Sequence, residues 1–301
     1  MRRIASLVLL ALGVALIVAA PMLRFYVYPN LAKTPINQYA ESIAPGTGTV
    51  FDPVTLTERH DVALVAHRRL RGDVVASSDN VGVWDESVVL SDGDGKMVNT
   101  TVDRVAWDRK TAEAVNCCGE AVDGVPTKHK GLSYKFPFNT KKTTYQFFDT
   151  TAKAASAMVY KSQERIKGLT VYRFQQRVEP VQIGVLEVPG NLVGSTEASV
   201  VAPRFYDNTR TVWVEPRTGV IIKGQEQQHQ VLRDASGADK TTLVGVTLTF
   251  NDLTQTRQSD LAKKGIRDIR NASLYGPLAA LIVGLILTGL GAGLLRRRDA
   301  A

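Results

Sequence analysis

Residues 243–250 read Leu-Val-Gly-Val-Thr-Leu-Thr-Phe, a stretch in which apolar side chains recur at every second position. A period of two, with β-branched and aromatic residues, is typical of a strand that buries one face. Val62, Leu64 and Ala66 repeat the pattern earlier in the chain. Turn-forming sequences separate such stretches at residues 91–95 (Ser-Asp-Gly-Asp-Gly) and 234–237 (Asp-Ala-Ser-Gly). The sequence therefore predicts a mainly β, antiparallel domain.

Two uncharged apolar runs flank this domain, from Ile4 to Leu23 and from Ala272 to Leu295. A helix rises 1.5 Å per residue, so about 20 apolar residues cross a hydrocarbon core of about 30 Å. We therefore expect transmembrane helices at residues 4–23 and 274–295. The β-rich α+β domain then occupies residues 24–273, and residues 1–3 and 296–301 form short tips.

The charges beside the two apolar runs predict their orientation. Basic residues lie at the outer end of each run: Arg2, Arg3, Arg296, Arg297 and Arg298. Short basic flanks favour the cytoplasm, so we expect both termini there and the main domain on the extracytoplasmic side of the cytoplasmic (inner) membrane. A cleaved signal peptide ending at Ala20 is the alternative. Pro21 follows directly and is poorly accepted there, which favours an uncleaved anchor.

Segments next to the apolar runs allow three further expectations. Residues 25–48 contain Pro29, Pro35 and Pro45, which interrupt the segment too often for a long helix. Residues 257–270 predict a helix that continues into the second membrane helix. Its basic side chains are candidates for contact with anionic lipid headgroups: Lys263, Lys264, Arg267 and Arg270. Arg68, Arg69 and Arg71 form a second candidate headgroup site, and a solvated strand face explains them equally well.

Small residues in the apolar runs suggest helix pairing. Gly289 and Gly293 have the spacing that lets two membrane helices approach closely, and Ala11, Ala15 and Ala19 repeat that spacing in the first run. The two helices are candidates to pair with each other, with a second copy of the chain or with other envelope proteins. An anchor that is merely rich in Ala and Gly is the other interpretation.

Cys117 and Cys118 are the only cysteines, and they are adjacent. Outside the membrane such a pair can close a vicinal disulfide, and Gly119 suits the tight backbone that this requires. There are two alternatives. One is a soft metal site formed by the two cysteines with His129, and the other is a pair of inert thiols. The disulfide is the interpretation that we favour.

Composition and motifs argue against several classes of function. Half of the net charge of +8 resides at the two tips, and the remainder on the middle domain gives no reason to expect a nucleic-acid partner. The sequence contains no phosphate loop, dinucleotide fingerprint or metalloprotease motif, and the four histidines are scattered. We therefore expect a non-enzyme without a cofactor.

Three stretches carry a family resemblance. They are residues 103–119 (Asp-Arg-Val-Ala-Trp-Asp-Arg-Lys-Thr leading to Val-Asn-Cys-Cys-Gly), 131–138 (Gly-Leu-Ser-Tyr-Lys-Phe-Pro-Phe) and 168–174 (Gly-Leu-Thr-Val-Tyr-Arg-Phe). With apolar runs at both ends, the chain resembles an actinobacterial membrane-protein family of unknown function that is also labelled "porin PorA family". The resemblance spans essentially the whole chain. It implies a compartment and a lineage, and it assigns a role to no residue.

Three functions follow as hypotheses. The first is an anchored cell-envelope protein whose main domain binds or passes a lipid or another apolar envelope molecule. The second is a structural or accessory protein that binds other envelope proteins. The third is a pore-former. An apolar cavity inside the domain favours the first, and a solid core with an exposed apolar patch favours the second.

Overall fold

The structure is a computed structural model that describes residues 2–299. The side chains of the predicted tip at 1–3, and most of those of the predicted basic tail at 296–301, lie outside the described residues. The chain forms two compact units. One unit runs from Thr34 to Ala262, and the other joins the residues before Thr34 to those after Ala262.

The unit made of the two chain ends is helical. Its N-terminal part comprises helix α1 (Arg2–Met22), a π-helical turn (Leu23–Val27) and helix α2 (Tyr28–Leu31). At the other end of the chain, helix α3 (Asp252–Arg270) is followed by a π-helical turn (Asn271–Tyr275) and helix α4 (Gly276–Asp299). The predicted helix at 257–270 is therefore confirmed. Helix also extends to Leu31, because Pro29 lies in the first turn of α2, where its missing N–H costs nothing.

Both helical arms are apolar enough to cross a membrane. The candidate spans are Ile4–Asn30 and Asp252–Arg296, and only 17% and 11% of their most apolar windows are buried. A core helix of a soluble protein would be mostly buried instead. Two long apolar helices, one at each end, agree with the prediction from the sequence.

Helices α1 and α4 pack antiparallel. Arg24 Nη1 donates to the carbonyl oxygen of Ser273 over 2.6 Å, and Gly291 lies against Ser6 near the other end of the pair. The closest approach is at Gly13 and Gly284: a Cβ atom added to Gly284 would lie 2.8 Å from the Gly13 carbonyl oxygen. Antiparallel packing brings the two chain ends to the same end of the helix pair.

The glycines in this contact differ from those that the sequence suggested. A Cβ atom added to Gly289 or Gly293 would meet nothing within 4 Å, and both residues are exposed. The buried positions of α4 include Gly284 and Gly291, seven residues apart, which is the repeat of a left-handed helix pair. The spacing of Gly289 and Gly293 therefore pointed to a face of α4 that does not contact α1.

The unit from Thr34 to Ala262 is built on twelve strands. Their bounds are β1 (Tyr39–Asp52), β2 (Thr57–Gly72), β3 (Val81–Asp92), β4 (Met97–Asp108), β5 (Ala121–Val122), β6 (Val125–Pro126), β7 (Tyr145–Asp149), β8 (Ala154–Ile166), β9 (Leu169–Pro189), β10 (Ser199–Glu215), β11 (Val220–Arg233) and β12 (Asp239–Thr249). A 3₁₀ turn (Gly190–Val193) follows β9. The predicted turns at 91–95 and 234–237 lie between β3 and β4 and between β11 and β12, which confirms them.

All twelve strands form one sheet with the order β6-β5-β4-β3-β2-β1-β12-β11-β10-β9-β8-β7. Every pair is antiparallel, and the two halves of the chain meet where β1 pairs with β12. The β-rich architecture is therefore as predicted. Helix ends at Leu31, so the prolines correctly predicted that residues 25–48 form no long helix, and from Tyr39 onward the segment belongs to the sheet, because β1 passes through Pro45. Pairing of β1 with β12 begins at Gly46, so the proline lies just outside that ladder.

The sheet curls until its two ends are linked. Trp107 of β4 bridges to Ala114, whose N–H donates to the carbonyl oxygen of Gly131 over 2.9 Å. Leu132 in turn bridges to Phe147 of β7. Gly131 has φ +73°, and an added Cβ would collide with the carbonyl of Gln146. Residues 112–115 and 131–132, which we call the closing segment, thus join β4, the third strand from one edge of the sheet, to β7 at the other edge.

The core lies inside this curl. The larger apolar cluster contains Trp107 of β4, Phe174 of β9 and Val212 of β10, although β4 and β9 are far apart in the sheet order. A second cluster, with Leu64 and Leu248, lies where β1, β2, β3 and β12 adjoin. The space between the inner faces of the two halves of the sheet is where the candidate site is found.

Candidate functional site

A cavity of about 160 Å³ lies within the curled sheet. Strands from both halves of the sheet line it, namely β1–β4, β7 and β10–β12. One wall is apolar and consists of Ala44, Ala66, Val88, Leu90, Leu248 and Phe250. Half-buried lining residues such as Asn99, Thr150 and Gln225 indicate that the cavity reaches the surface.

Arg68 enters the cavity because side chains alternate along β2. It follows Leu64 and Ala66 at the same period and therefore faces inward with them. Its guanidinium pairs with the carboxylate of Glu86 and lies 5.4 Å from the centre of the Tyr134 ring. Arg69 and Arg71 are exposed on the outer face of β2. The structure thus separates Arg68 from the two arginines with which the sequence grouped it.

Arg210 is the second arginine of the cavity. Its Nε donates to Glu226 over 2.8 Å across the β10–β11 ladder, and its Nη2 donates to Asp149 over 3.1 Å. Burial opposes the charge on Arg210, but Glu226 and Asp149 outweigh burial and raise the pKa of the guanidinium. Burial likewise favours neutral Glu226, and Arg210 outweighs it, so the pKa of Glu226 is lowered. Both partners are therefore ionised at neutral pH.

A third polar group is centred on Asp103. Its carboxylate accepts hydrogen bonds from the Tyr134 hydroxyl over 2.7 Å and contacts Nε2 of His129 over 2.8 Å. The other ring nitrogen of His129 lies 3.4 Å from Glu120. Burial alone would lower the pKa of His129, but Asp103 and Glu120 reverse the effect and raise it. Asp103 and Glu120 thus favour the protonated form of His129 beside the cavity.

These ion pairs are costly to break because they are buried. The Asp149 side chain is only 1% exposed, and that of Arg210 is 13% exposed. Removing one partner of a buried pair leaves an uncompensated charge, typically at a cost of about 3–5 kcal/mol. The charged part of the cavity is therefore fixed in place before any ligand arrives.

Cys117 and Cys118 form a vicinal disulfide in the loop after β4. The loop turns sharply, since Asn116, Cys118 and Gly119 all have positive φ. Nε of Arg104 donates to the carbonyl oxygen of Cys118 over 3.2 Å. The disulfide is absent from the cavity lining, and among the described residues no group of three or more His, Cys, Asp or Glu side chains is arranged to hold a metal ion.

The predicted headgroup residues of the C-terminal arm lie in α3, with Lys264, Arg267 and Arg270 exposed and Lys263 half-buried. The Arg270 guanidinium lies 5.2 Å from the centre of the Tyr275 ring. Contact with anionic lipid stays a prediction for these four residues and for Arg69 and Arg71.

Comparison with known proteins gives the chain a family. The family model described as Porin PorA matches residues 5–293. The chain belongs to the porin PorA family. A curated relative named "Porin PorA" from Corynebacterium resistens is 26% identical, and the alignment covers 99% of this chain and 98% of that protein. Another of the same name from Corynebacterium amycolatum is 22% identical over 97% of this chain and 98% of that protein.

Solved structures also match this porin PorA family member. Among them is an exported protein with a YmcC-like fold from Bacteroides fragilis, 7% identical, and the match covers 73% of this chain and 97% of that one. Its TM-score is 0.23, which is too low to support a structural argument. Family membership and the apolar helices together indicate a membrane-associated protein.

Sequence reasoning missed most of the cavity of this family member. Arg210, Glu226, Asp149 and Asp103 did not stand out, because each is a single charge within an ordinary strand. A signal was available, because a charged residue at an inward-facing position of a strand stands out among apolar neighbours. Arg210 lies two residues from both Asn208 and Val212, which are buried. Such a position predicts a buried ion pair, although it leaves the partner unnamed.

Proposed function

We propose that this porin PorA family member is an anchored cell-envelope protein whose β-rich domain binds part of an amphiphile. The observation that carries the proposal is the two-part lining of the cavity. One part is apolar around Ala66 and Leu248, and the adjoining part is polar and holds Arg68, Glu86 and Tyr134. An amphiphile presents the same two surfaces at the junction of its chain and headgroup.

The size of the cavity limits what it holds. Pockets for drug-sized ligands span about 300–1,000 Å³, and a cavity of about 150 Å³ holds one benzene ring. At about 160 Å³, this cavity accommodates a ring-sized group with a few adjoining methylenes. We therefore propose binding of one end of an amphiphile, with the rest of its chain outside the cavity.

Filling the cavity tests the proposal. Ala66→Phe places a ring in the apolar wall, whereas Ala63→Phe places the same ring on the exposed face of the same strand. The full-length protein, held in an amphipathic polymer, is titrated with an octyl chain that carries a dansyl group. Energy transfer from Trp84, which stacks on Tyr134, reports binding in the cavity.

We expect wild type and Ala63→Phe to give saturable transfer and Ala66→Phe to lose it, with all three proteins unfolding cooperatively. Equal transfer in all three would refute binding in the cavity. Thermal unfolding curves show whether a loss of transfer in Ala66→Phe reflects a filled cavity or a protein that has not folded.

The proposed location is the cytoplasmic membrane, with both termini inside and the β-rich domain outside. Support comes from the antiparallel packing of α1 and α4 and from the basic flanks. Protease added to intact spheroplasts is expected to cut the domain between Thr34 and Ala262. Protection until the membrane is broken would invert the orientation.

Pore formation is the second candidate, and the name "Porin PorA" of both curated relatives favours it. A transmembrane barrel needs an apolar outer face, whereas β2 and β8 present Arg69, Arg71, Lys161 and Arg165 outward. We therefore attribute any pore to assembled copies of the helices. Conductance of pure protein in planar bilayers supports this candidate, and its absence dismisses it.

A further inference from the structure

The charged side chains that line the cavity each have a partner within the protein. Arg68 pairs with Glu86, and Arg210 pairs with Glu226. Asp103 accepts from Tyr134 and contacts His129. An incoming anion thus meets two cations that already hold carboxylates, and an incoming cation meets carboxylates that each already have a partner. Binding either ion would require a buried pair to open.

The remaining polar lining consists of uncharged groups. Hydroxyl and amide side chains contribute to it at Ser42, Asn99, Thr101, Ser133, Gln225 and Gln228. The Oγ atom of Ser133 is buried and has no hydrogen-bond partner among the described residues. Several buried polar atoms of the described residues lack a partner, and Ser133 Oγ is the hydroxyl among them that belongs to a cavity-lining residue, so we take it as the atom that a ligand would satisfy. Hydroxyl and amide groups both donate and accept, which matches a ligand with several hydroxyl groups.

Aromatic rings complete the lining at Tyr134, Phe147, Phe148 and Phe250. The C–H faces of a saturated ring pack well against such rings, and its hydroxyl groups extend in the ring plane toward polar neighbours. The cavity volume is about 160 Å³. A cavity of about 150 Å³ holds a single six-membered ring. Size, paired charge and hydroxyl lining therefore describe the same kind of ligand.

We propose that the cavity binds an uncharged, hydroxyl-rich group of the size of one sugar ring. The proposal rests on the proposed function and names the polar end of the amphiphile. The same chemistry has two sources, a sugar attached to a lipid chain and a free sugar. Ser133 is the residue that binds a ligand hydroxyl most directly, because its own hydroxyl is otherwise unsatisfied.

A headgroup series tests the proposal with the chain length held constant. The full-length protein in an amphipathic polymer is titrated calorimetrically with octyl glucoside, octyl phosphate and octyltrimethylammonium, each below its micelle concentration. Methyl glucoside supplies the sugar without the chain. Ser133→Ala removes the unsatisfied hydroxyl, and Ser87→Ala is the control, since Ser87 lies between Glu86 and Val88 on the opposite face of β3.

We expect octyl glucoside to bind about tenfold or more tightly than either charged amphiphile, because neither buried pair has to open. Ser133→Ala is expected to weaken octyl glucoside binding several-fold and Ser87→Ala to leave it unchanged. Methyl glucoside that binds as tightly as octyl glucoside supports the headgroup assignment with a free sugar as ligand. Much weaker binding of methyl glucoside supports it with a lipid-linked sugar.

Two results separate this proposal from the proposed function. Equal binding of the three amphiphiles, or tightest binding of octyl phosphate, overturns the headgroup assignment and leaves amphiphile binding intact. No binding of any amphiphile by a cooperatively folded protein overturns both. A loss of affinity in Ser87→Ala equal to that in Ser133→Ala would show that the effect is not local to the cavity, and it too counts against the assignment.

Discussion

Lys135 carries a buried amino group that has no carboxylate partner among residues 2–299. Its Nζ donates to the Thr34 hydroxyl over 2.7 Å and lies 4.1 Å from the centre of the Phe138 ring. Burial lowers the pKa of Lys135 to about 7, well below the value of about 10.4 in an unfolded chain. The unfolded state therefore binds more protons between these values, so stability rises with pH from about 7 to about 10.

Lys135→Met is expected to remove this pH dependence. At pH values of about 6 the variant should exceed wild type in free energy of unfolding by about 2–4 kcal/mol, and the difference should shrink toward pH values of about 10. Urea unfolding of the full-length protein at several pH values measures it. Lys161→Met, on the exposed face of β8, is the control. A difference that does not vary with pH would contradict the account.

Arg210 tests the energetic role of the buried charges. Arg210→Met leaves Asp149 and Glu226 without their cation, and the expected loss is about 3–5 kcal/mol. Replacing Glu226 by Leu in the same chain should recover part of that loss. Arg177→Met disrupts an exposed pair with Glu179 and should cost at most about 1 kcal/mol. Equal losses in Arg177→Met and Arg210→Met would indicate that the cavity pairs are not buried in solution.

For single residues, the alternation of side chains along a strand predicts which face each one occupies, whereas closeness in the sequence does not. Arg68, Arg69 and Arg71 look like one basic cluster in the sequence, yet the period of two along β2 sends Arg68 inward and the others outward. Counting from Leu64 and Ala66 would have placed Arg68 correctly. Its partner Glu86 could not be found in this way, because it depends on the register between β2 and β3.

Gly131 decides whether the closing segment can join β4 to β7. Gly131→Ala introduces both a strained positive φ and a collision with the Gln146 carbonyl, whereas Gly168→Ala, at φ +80°, introduces the strain alone. We expect Gly168→Ala to cost about 1–2 kcal/mol and Gly131→Ala clearly more. Thermal unfolding compares them. Equal costs would mean that the close approach at Gly131 contributes nothing.

Gly284 decides how closely α1 and α4 approach. Gly284→Leu overpacks the contact with Gly13, and we expect a loss of about 1–3 kcal/mol. Gly289→Leu adds the same side chain on the open face of α4 and should leave the thermal unfolding midpoint in detergent unchanged. A larger effect at Gly289 than at Gly284 would restore the pairing face that the spacing of Gly289 and Gly293 first suggested.

The sequence predicted well which segments form helices and strands, and it predicted less well where each helix or strand begins and ends. Alternating residues such as 243–250 identified strands, and the acidic, glycine-rich turns identified where they end. The prolines correctly predicted that residues 25–48 form no long helix, but they did not show that Pro29 and Pro45 lie inside regular elements. Pro29 lies in a first helical turn and Pro45 lies just before the pairing of β1 with β12 begins, where a missing N–H is tolerated. Such positions become visible only once neighbouring elements are placed.

At the scale of the whole molecule, the sequence predicted a β-rich domain tethered by two apolar helices. It did not predict the curl that encloses a cavity, because the curl depends on contacts between β4, the closing segment and β7. Those contacts join residues distant in the sequence and leave no local pattern. The cavity, and with it the proposed site, is therefore a property of the folded sheet.

Photolabelling can locate a bound amphiphile and so tests whether it lies in the cavity of the β-rich domain. An octyl glucoside with a photoreactive group in its chain is bound to the full-length protein and activated, and the labelled peptides are identified by mass spectrometry. The account predicts labels on the inner strands around Ala44, Ala66, Leu90 and Leu248, which are lost in Ala66→Phe and retained in Ala63→Phe. Labels confined to α1 and α4, or unchanged in Ala66→Phe, would contradict it.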